Sequence, residues 1–279
     1  MTQTPRLPDA ARIGRTALTV TDLDAAVAFY RDVVGLAVLT ETQARATLGV
    51  DGRPLLVLRR DDDAAPRTAD RAGLFHNAFR FPSRAALGAA LERVRDRSAL
   101  SGASDHHVSE ALYLDDPEGN GVELYADRPR AEWPRAADGT IEMGTVPLDL
   151  GDLVSASDGA AAAPPGTAVG HVHVEATSLS ASRAFYADTL GLRVQTASPS
   201  ALFLAAGDYH HHVGVNVWND RSRPAGGRGI AWFEFLLPDA ESLATVRRGL
   251  AAADVSVTAR EEGFEATDPS GIGVRFRAE

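Results

Sequence analysis

The segment D105-H-H-V-S-E-A-L-Y-L-D-D-P-E-G-N-G-V-E123 decides how this chain folds. It predicts a strand, a tight turn at residues 117–121 and a returning strand, because glycine and asparagine tolerate the positive φ that such turns need. The returning strand alternates, which puts Glu123 and Tyr125 on one face. A carboxylate on a dry face is costly unless a cation compensates its charge. Glu123 is therefore a candidate metal ligand, and a solvated surface carboxylate is the alternative.

Composition excludes several classes of protein. The chain has 279 residues, which suggests about two domains, and 44% of them are hydrophobic, enough for buried cores. The net charge of −10 disfavours nucleic acid and anionic membrane as partners. The absence of cysteine excludes thiolate ligands, cysteine nucleophiles and disulfides. No apolar run approaches a membrane span of about 18 residues, and the N-terminus shows no signal core, so we expect a cytoplasmic protein.

The chain repeats itself. The motif L-D-A-A-V-A-F-Y-R-D-V-V-G-L at residues 23–36 matches L-S-A-S-R-A-F-Y-A-D-T-L-G-L at residues 179–192. The turn sequence D116-P-E-G-N-G recurs as D268-P-S-G-I-G. Each copy of the longer motif predicts an amphipathic helix that follows a polar N-cap and stops at glycine, with a strand on either side. The pattern indicates a tandem duplication.

Each half divides again into two modules of one strand, one helix and further strands. Residues 131–167, rich in glycine, proline and small side chains, predict a linker between a first domain at residues 10–130 and a second at residues 168–279. The four modules are predicted at about residues 13–60, 74–127, 168–218 and 230–278.

The two F-Y helices and the D-P-E-G-N-G-V-E-L-Y segment resemble those of the vicinal oxygen chelate superfamily, which includes glyoxalase I, bleomycin-resistance proteins and extradiol ring-cleaving dioxygenases. The resemblance covers nearly the whole chain. It implies an α+β fold in which four βαβββ modules form two cupped antiparallel sheets. It says less about the reaction, because one fold hosts many chemistries.

All eight histidines fall in the second and third modules. In the resembled superfamily, metal ligands occupy the first and last strands of a module. The resemblance therefore implies ligands in the middle modules, although a single histidine in a strand is more often packed and hydrogen-bonded than ligating. The first-strand positions of the four modules hold, in order, Arg15, His76, His171 and Trp232.

Pairing the second module with the third would combine His76, Glu123 and His171. Two imidazoles and one carboxylate are the facial set of non-haem Fe(II) oxygenases, which leaves positions open for O₂ and substrate. Fe(II) is the metal that the resemblance implies, with Mn(II), Zn(II) or Ni(II) as alternatives. The first and fourth modules would form a metal-free partner, because Arg275, in the last strand of the fourth, would repel a cation.

The opening segment is similar to the extradiol dioxygenase signature, which His106, Tyr113 and Glu123 meet, although Ser104 departs from it at the start. Tyr113 then takes the place of the tyrosine that hydrogen-bonds a substrate oxygen, with His106 beside it. An ordinary strand aromatic is the alternative for Tyr113. His211 falls where that family places its acid–base histidine, a role that suits a group titrating near neutrality.

Other interpretations of the segment Y209-H-H-H-V-G-V-N-V-W stay open. His210 or His212, on the opposite face of an extended strand, could replace His211 as the acid–base group. His211 could instead be a fourth metal ligand, as in glyoxalase I. The three histidines could also form a surface turn.

The resemblance implies an extradiol dioxygenase of the catechol 2,3 type, which acts on a small aromatic diol with O₂ in the catabolism of aromatic compounds. A glyoxalase-type isomerase and a metal-free protein that sequesters an aromatic antibiotic are the alternatives. Oxygen uptake with a catechol separates the first from the second, and metal analysis separates both from the third. The sequence is compatible with a monomer and with a homo-oligomer.

Overall fold

The computed structural model describes residues 6–279, which form an α+β fold with one sheet of eight strands and one of nine. Each predicted module is present as a strand, a helix and three further strands. No helix in residues 6–279 combines the length and the apolar character needed to cross a membrane.

The first half contains two modules and the predicted linker. The first module consists of β1 (Arg12–Val20), α1 (Leu23–Phe29), β2 (Ala37–Glu41), β3 (Arg45–Val50) and β4 (Arg53–Arg60). The second consists of β5 (Gly73–Phe81), α2 (Arg84–Arg97), β6 (Gly102–Asp105), β7 (Ser109–Asp115) and β8 (Gly121–Asp127). Residues 131–167 add a short strand and a short helix, β9 (Val146–Pro147) and α3 (Leu150–Ser155).

The second half repeats this plan. The third module consists of β10 (Ala168–Glu175), α4 (Leu179–Arg183), β11 (Arg193–Ser198), β12 (Ala201–Ala205) and β13 (Val213–Asn216). The fourth consists of β14 (Gly229–Leu237), α5 (Ala240–Ala252), β15 (Val257–Arg260), β16 (Gly263–Thr267) and β17 (Gly273–Ala278).

The sheets are mixed, whereas the expectation was antiparallel sheets. The last three strands of each module pair antiparallel, but β5 pairs with β8, β10 with β13 and β14 with β17 in parallel. The helix after each first strand provides the long crossover that parallel pairing needs, while short turns join the remaining strands. The strand orders are β15-β16-β17-β14-β1-β4-β3-β2 and β11-β12-β13-β10-β5-β8-β7-β6-β9.

Each sheet is built from the strands of two modules. The eight-stranded sheet contains the strands of the first and fourth modules, and the nine-stranded sheet contains those of the second and third, with β9 at its edge. This is the pairing of modules that the sequence interpretation required.

The chain divides into two compact units. One contains the described part of Met1–Thr16 together with Ala65–Phe75 and His171–Glu279. Its core includes aromatic residues from the central strands of the fourth module. Phe235 stacks on Phe276, with ring centroids 6.0 Å apart, and both are fully buried.

The other unit contains Ala17–Ala64 and His76–Gly170. Its core includes Phe79 and Phe81, which alternate along β5 and are buried. The ring of Phe79 lies 6.2 Å from that of Tyr30, so β5 packs against the helical segment of the first module.

Each module helix begins at a polar N-cap, as the sequence predicts. The side chains of the four caps accept a hydrogen bond from the backbone N–H three residues further on, which satisfies a donor that the helix leaves unpaired. After α1 the chain makes one π-helical turn and then leaves the helix at Gly35, whose φ of 91° favours glycine. The caps are Asp22, Ser83, Ser178 and Asp239.

Asp116 organises the turn between β7 and β8. Its carboxylate accepts hydrogen bonds from the backbone N–H groups of Glu118 and Asn120, both at 2.9 Å, and from the Asn120 side-chain amide at 2.9 Å. Gly119 has the expected positive φ of 79°. Asn120 does not have a positive φ, which corrects the expectation, because its contribution is the side-chain hydrogen bond to Asp116.

A buried hydrogen bond ties each F-Y helix to the turn that carries the Asp-Pro motif. Tyr30 donates its hydroxyl proton to Asp116 at 3.1 Å, and Tyr186 donates to Asp268 at 2.9 Å. Burial, together with the neighbouring carboxylate, raises the pKa of both tyrosines, so both remain protonated donors. The two halves therefore share a tertiary contact as well as a sequence motif.

We predict that Tyr30→Phe lowers the free energy of unfolding by about 1–2 kcal/mol, because it removes a hydrogen bond to a buried carboxyl group. Urea denaturation of both proteins measures the difference. Arg31→Gln is the control, since Arg31 is exposed and should change stability by no more than about 0.5 kcal/mol. If both variants unfold at the same urea concentration, the Tyr30–Asp116 contact does not stabilise the fold.

Candidate metal centre

A buried imidazole–carboxylate pair lies on the neighbouring strands β5 and β8. Their parallel register sets Ala78 opposite Glu123, and Nε2 of His76 lies 2.9 Å from Oε2 of Glu123. The exposed fractions are 7% for His76 and 2% for Glu123. The alternative of a solvated Glu123 is therefore wrong.

His171, on β10, is also buried. One potential ligand atom from each of His76, Glu123 and His171 lies within 4.8 Å of the other two. Ligand atoms about 2.1 Å from an ion and at right angles to each other are about 3.0 Å apart, which matches the separation of His76 and Glu123. The donor set and its spacing fit a divalent ion that keeps coordination positions free.

Tyr113 lies directly opposite Glu123 in the β7–β8 register. Its hydroxyl oxygen is 2.6 Å from Nε2 of His106, whose Nδ1 is 2.7 Å from the carbonyl oxygen of Gly144. Because a carbonyl only accepts, Nδ1 of His106 carries the proton and Nε2 accepts the tyrosine hydroxyl. Burial and the Glu123 carboxylate raise the pKa of Tyr113, which keeps the phenol protonated.

His211 lies in the turn before β13, so the expected alternation along an extended strand does not apply to it. Its ring is 4.0 Å from that of His171 and 5.1 Å from that of Phe203. Its Nδ1 is 2.8 Å from Nδ1 of His210, so one of these two nitrogens carries a proton and the other accepts it. His210, His211 and His212 are all buried, and the alternative of a surface turn is wrong.

His173 lies among aromatic rings, a feature that the sequence analysis missed. Its Nε2 accepts a hydrogen bond from the Asn216 amide at 3.1 Å. Phe75, Phe203 and Trp218 surround its ring at centroid distances of 4.9, 5.5 and 5.4 Å. These partners are distant from His173 in sequence. Only Trp218, two residues after the end of β13, stands in the histidine-rich segment at residues 209–218 that the sequence singles out.

In the first and fourth modules, arginines that form ion pairs stand at positions corresponding to those of the candidate metal ligands. Arg15 donates to the buried carboxylate of Glu234 at 2.6 Å. Arg275 donates to Glu265 at 2.5 Å, and its guanidinium carbon lies 3.8 Å from the ring centre of Trp232. Fixed guanidinium groups repel a cation, so these positions are unsuited to a second metal ion.

Comparison with known proteins shows the family. Residues 12–124 match the model of the Glyoxalase/Bleomycin resistance protein/Dioxygenase superfamily. Over 274 residues the chain is 37% identical to Catechol-2,3-dioxygenase of Bacillus subtilis (strain 168), covering 95% of this chain and 96% of that protein. The chain belongs to this superfamily, which confirms the resemblance seen in the sequence.

Two further proteins are similar over different extents. Biphenyl-2,3-diol 1,2-dioxygenase 3 of Rhodococcus globerulus is 34% identical over 131 residues, which cover 46% of this chain and 66% of that protein. The crystal structure of glyoxalase I from Zea mays has a TM-score of 0.60 at 15% identity, covering 96% of this chain and 92% of that one. The second likeness is one of fold.

We predict that the protein, loaded with Fe(II) under anaerobic conditions and desalted, retains about one ion per chain by elemental analysis. Arg275→Gln should retain the same amount, since Arg15 still occupies the face where a second ion would bind. Two ions per chain in the parent protein, or a gain of one ion in Arg275→Gln, would contradict the assignment of a single site.

Proposed function

We propose that the protein is a non-haem Fe(II) extradiol dioxygenase that opens the ring of a catechol-type diol beside its two hydroxyl groups. We propose His76, Glu123 and His171 as the metal ligands. The observation that supports the proposal most directly is the buried group of two imidazoles and one carboxylate within 4.8 Å. The similarity to Catechol-2,3-dioxygenase of Bacillus subtilis along 95% of this chain supports the class of reaction.

The protein residues have separate tasks in this proposal. Fe(II), when bound, would hold the diol and O₂ side by side and allow electrons to pass between them. His76, Glu123 and His171 hold the ion on buried strands, where bulk water is excluded. The remaining groups bind the diol and manage its protons.

His211 is the proposed base that removes a diol proton. To accept that proton at Nε2, its imidazole must keep its own proton on Nδ1 and donate it to Nδ1 of His210, 2.8 Å away. His210 thereby selects the tautomer that the base requires. The ring contact with His171 keeps His211 beside the ion, where the acidity of a bound diol is greatest.

Tyr113 and His106 are the proposed pair that binds a substrate oxygen. In the structure Tyr113 donates to Nε2 of His106. When a substrate oxygen lies beside it, the Tyr113 hydroxyl can turn its proton from Nε2 of His106 to that oxygen. The carbonyl of Gly144 holds the imidazole in place in both orientations of the hydroxyl, because it accepts from Nδ1 in each.

The reaction is tested with the Fe(II)-loaded protein, catechol and an oxygen electrode. We predict uptake of one O₂ per diol and formation of a ring-opened product that carries one carboxylate and one aldehyde. Arg31→Gln is the control and should keep full activity, because Arg31 is exposed and lies on the helical segment of the first module, away from the proposed ligands. A metal-loaded protein that consumes no O₂ with any catechol but isomerises a hemithioacetal would contradict the proposal in favour of a glyoxalase-type enzyme.

The roles of two histidines are separated by substitution. We predict that His211→Ala keeps the metal content of the parent protein but loses turnover by about 10²–10⁴-fold, the usual size of a general acid–base contribution. His171→Ala should lose the ion itself, because two remaining ligands hold a divalent ion poorly. If His211→Ala releases the ion as completely as His171→Ala, then His211 is a fourth ligand and the isomerase becomes the better interpretation.

A further inference from the structure

Ion pairs join four arginines and three glutamates across the eight-stranded sheet. They lie on β1, on the strands of the fourth module and in the turn after β15, and each arginine contacts at least one of the carboxylates. Two of the glutamates each bind two arginines. We call this group the arginine cluster, and its members are Arg15, Glu234, Arg260, Glu262, Glu265, Arg275 and Arg277.

The arginine cluster carries an excess of one positive charge, because it holds four guanidinium groups against three carboxylates. The chain as a whole has a net charge of −10, so this excess is local. The side chain of Glu262 is 55% exposed, and water screens its charge far more than that of Glu234, which is 2% exposed. Glu261, the neighbouring acidic residue, is exposed and is screened in the same way. A partly buried face with excess positive charge attracts a counter-ion.

Arg275 has hydrogen-bond donors that the protein leaves unused. A guanidinium group offers five N–H donors, and Nε of Arg275 donates to Glu265 at 2.5 Å. Within residues 6–279 its two Nη groups have no acceptor, although the side chain is only 26% exposed. The Nη edge of a guanidinium is a planar fork that matches the two oxygens of a carboxylate.

The fork of Arg275 is held in a fixed position by Trp232. The guanidinium carbon lies 3.8 Å from the centre of the Trp232 ring, which is 3% exposed and is fixed by its packing. The β14–β17 register sets Trp232 against Gly273, where an added Cβ would lie 2.9 Å from Cβ of the tryptophan. Attraction between the cation and the aromatic face stabilises this arrangement. A ligand of Arg275 therefore does not pay the cost of ordering the side chain.

The positive charge at Arg275 is incompletely stabilised by the protein. Burial lowers the pKa of Arg275, and repulsion by Arg260, which shares the carboxylate of Glu265, lowers it further. The donors of the cluster also outnumber its acceptors. Nε of Arg277 is buried without a hydrogen-bond acceptor, since the carboxylate of Glu262 lies 3.8 Å away, beyond hydrogen-bond distance. An oxyanion would supply both the missing charge and the missing acceptors.

We infer that the arginine cluster is a binding site for a small organic monocarboxylate, whose two oxygens accept from the Nη groups of Arg275. One carboxylate matches an excess of one positive charge, whereas a phosphate group approaches two negative charges at neutral pH. The inference goes beyond the proposed function and does not depend on it. Arg15 and Arg275 stand where the middle modules carry candidate metal ligands. The duplicated fold thus offers a cation site on one sheet and an anion site on the other.

The first test follows tryptophan fluorescence during titration with acetate at constant ionic strength. Trp218→Phe is the starting protein, because Trp218 is 47% exposed and would add its own response, whereas Trp232 lies under Arg275. Acetate should change the emission until it saturates. Acetamide, which has the same shape and no charge, should not. The absence of a saturable change with acetate, or an equal affinity for acetamide, would overturn the inference.

Substitutions in the same starting protein identify the residue that binds. Arg275→Gln should weaken acetate binding by about ten- to a hundred-fold, the usual size of a charge-assisted hydrogen bond. Arg275→Lys keeps the charge without the fork and should weaken it less. Arg193→Gln is the control, since Arg193 is an exposed arginine with an ion pair to Asp9, and should bind as the parent does. Unchanged affinity in Arg275→Gln, or tighter binding of inorganic phosphate than of acetate, would contradict the assignment.

The second test does not use tryptophan. Acetate at about ten times its dissociation constant should raise the urea midpoint of unfolding, followed by circular dichroism, in the parent protein and in Arg193→Gln but not in Arg275→Gln. An equal rise in all three would show a non-specific salt effect and overturn the inference. His171→Ala, and the parent protein treated with a chelator, should bind acetate as the parent does. Loss of binding in both would place the carboxylate on a metal ion and refute the arginine cluster as its site, whether or not the protein oxidises catechol.

Discussion

The structure depends on how buried carboxylates are compensated, since a carboxylate that leaves water must find charge or hydrogen-bond donors inside the protein. Glu123 is 2% exposed, and the β5–β8 register sets it against Nε2 of His76. Tyr113 stands opposite on β7, and its pKa is raised by its own burial and by the same carboxylate. Imidazole and phenol are weak compensation for a full negative charge, and this makes the position suitable for a cation.

The other buried glutamates of residues 6–279 are compensated by arginine, and Glu234 and Glu175 are the two most deeply buried of them. Glu234 is 2% exposed and is bound by Arg15, while Glu175 is 2% exposed and is bound by Arg221 and Arg67. Guanidinium groups neutralise a carboxylate permanently and satisfy several of its lone pairs at once. A position of this kind is stable without any ligand. The chain thus compensates these buried carboxylates permanently with arginine and leaves the carboxylate of Glu123, which lies beside His76 and opposite Tyr113, suited to a metal ion.

Local features were predictable from the sequence because their partners are close along the chain. The N-caps at Asp22 and Ser83 accept from residues three positions away, and Asp116 binds groups within its own turn. The resemblance indicated which strands carry candidate ligands. Contacts between distant parts of the chain were not predictable in the same way. Tyr30 and Asp116 are 86 residues apart, and the sequence shows that both residues recur in the second half as Tyr186 and Asp268. Their hydrogen bonds form only because the helical segment packs against the turn. Asn120 is a local feature that the sequence predicted wrongly. Its residue type suggested a positive φ, whereas its contribution to the turn is the side-chain hydrogen bond to Asp116.

The concentration of histidines in the middle modules follows from the same physical constraint. A neutral imidazole can be buried at moderate cost provided that one nitrogen donates and the other accepts or ligates. Buried histidines of the third module have such partners: His212 accepts from the Ala206 N–H, His173 accepts from Asn216, and His210 shares a proton with His211. Arginine in these positions would bring a permanent charge that repels a cation and retains water. Histidine therefore allows imidazole rings to pack around His171 without a permanent positive charge, and this leaves the carboxylate of Glu123 available to a cation.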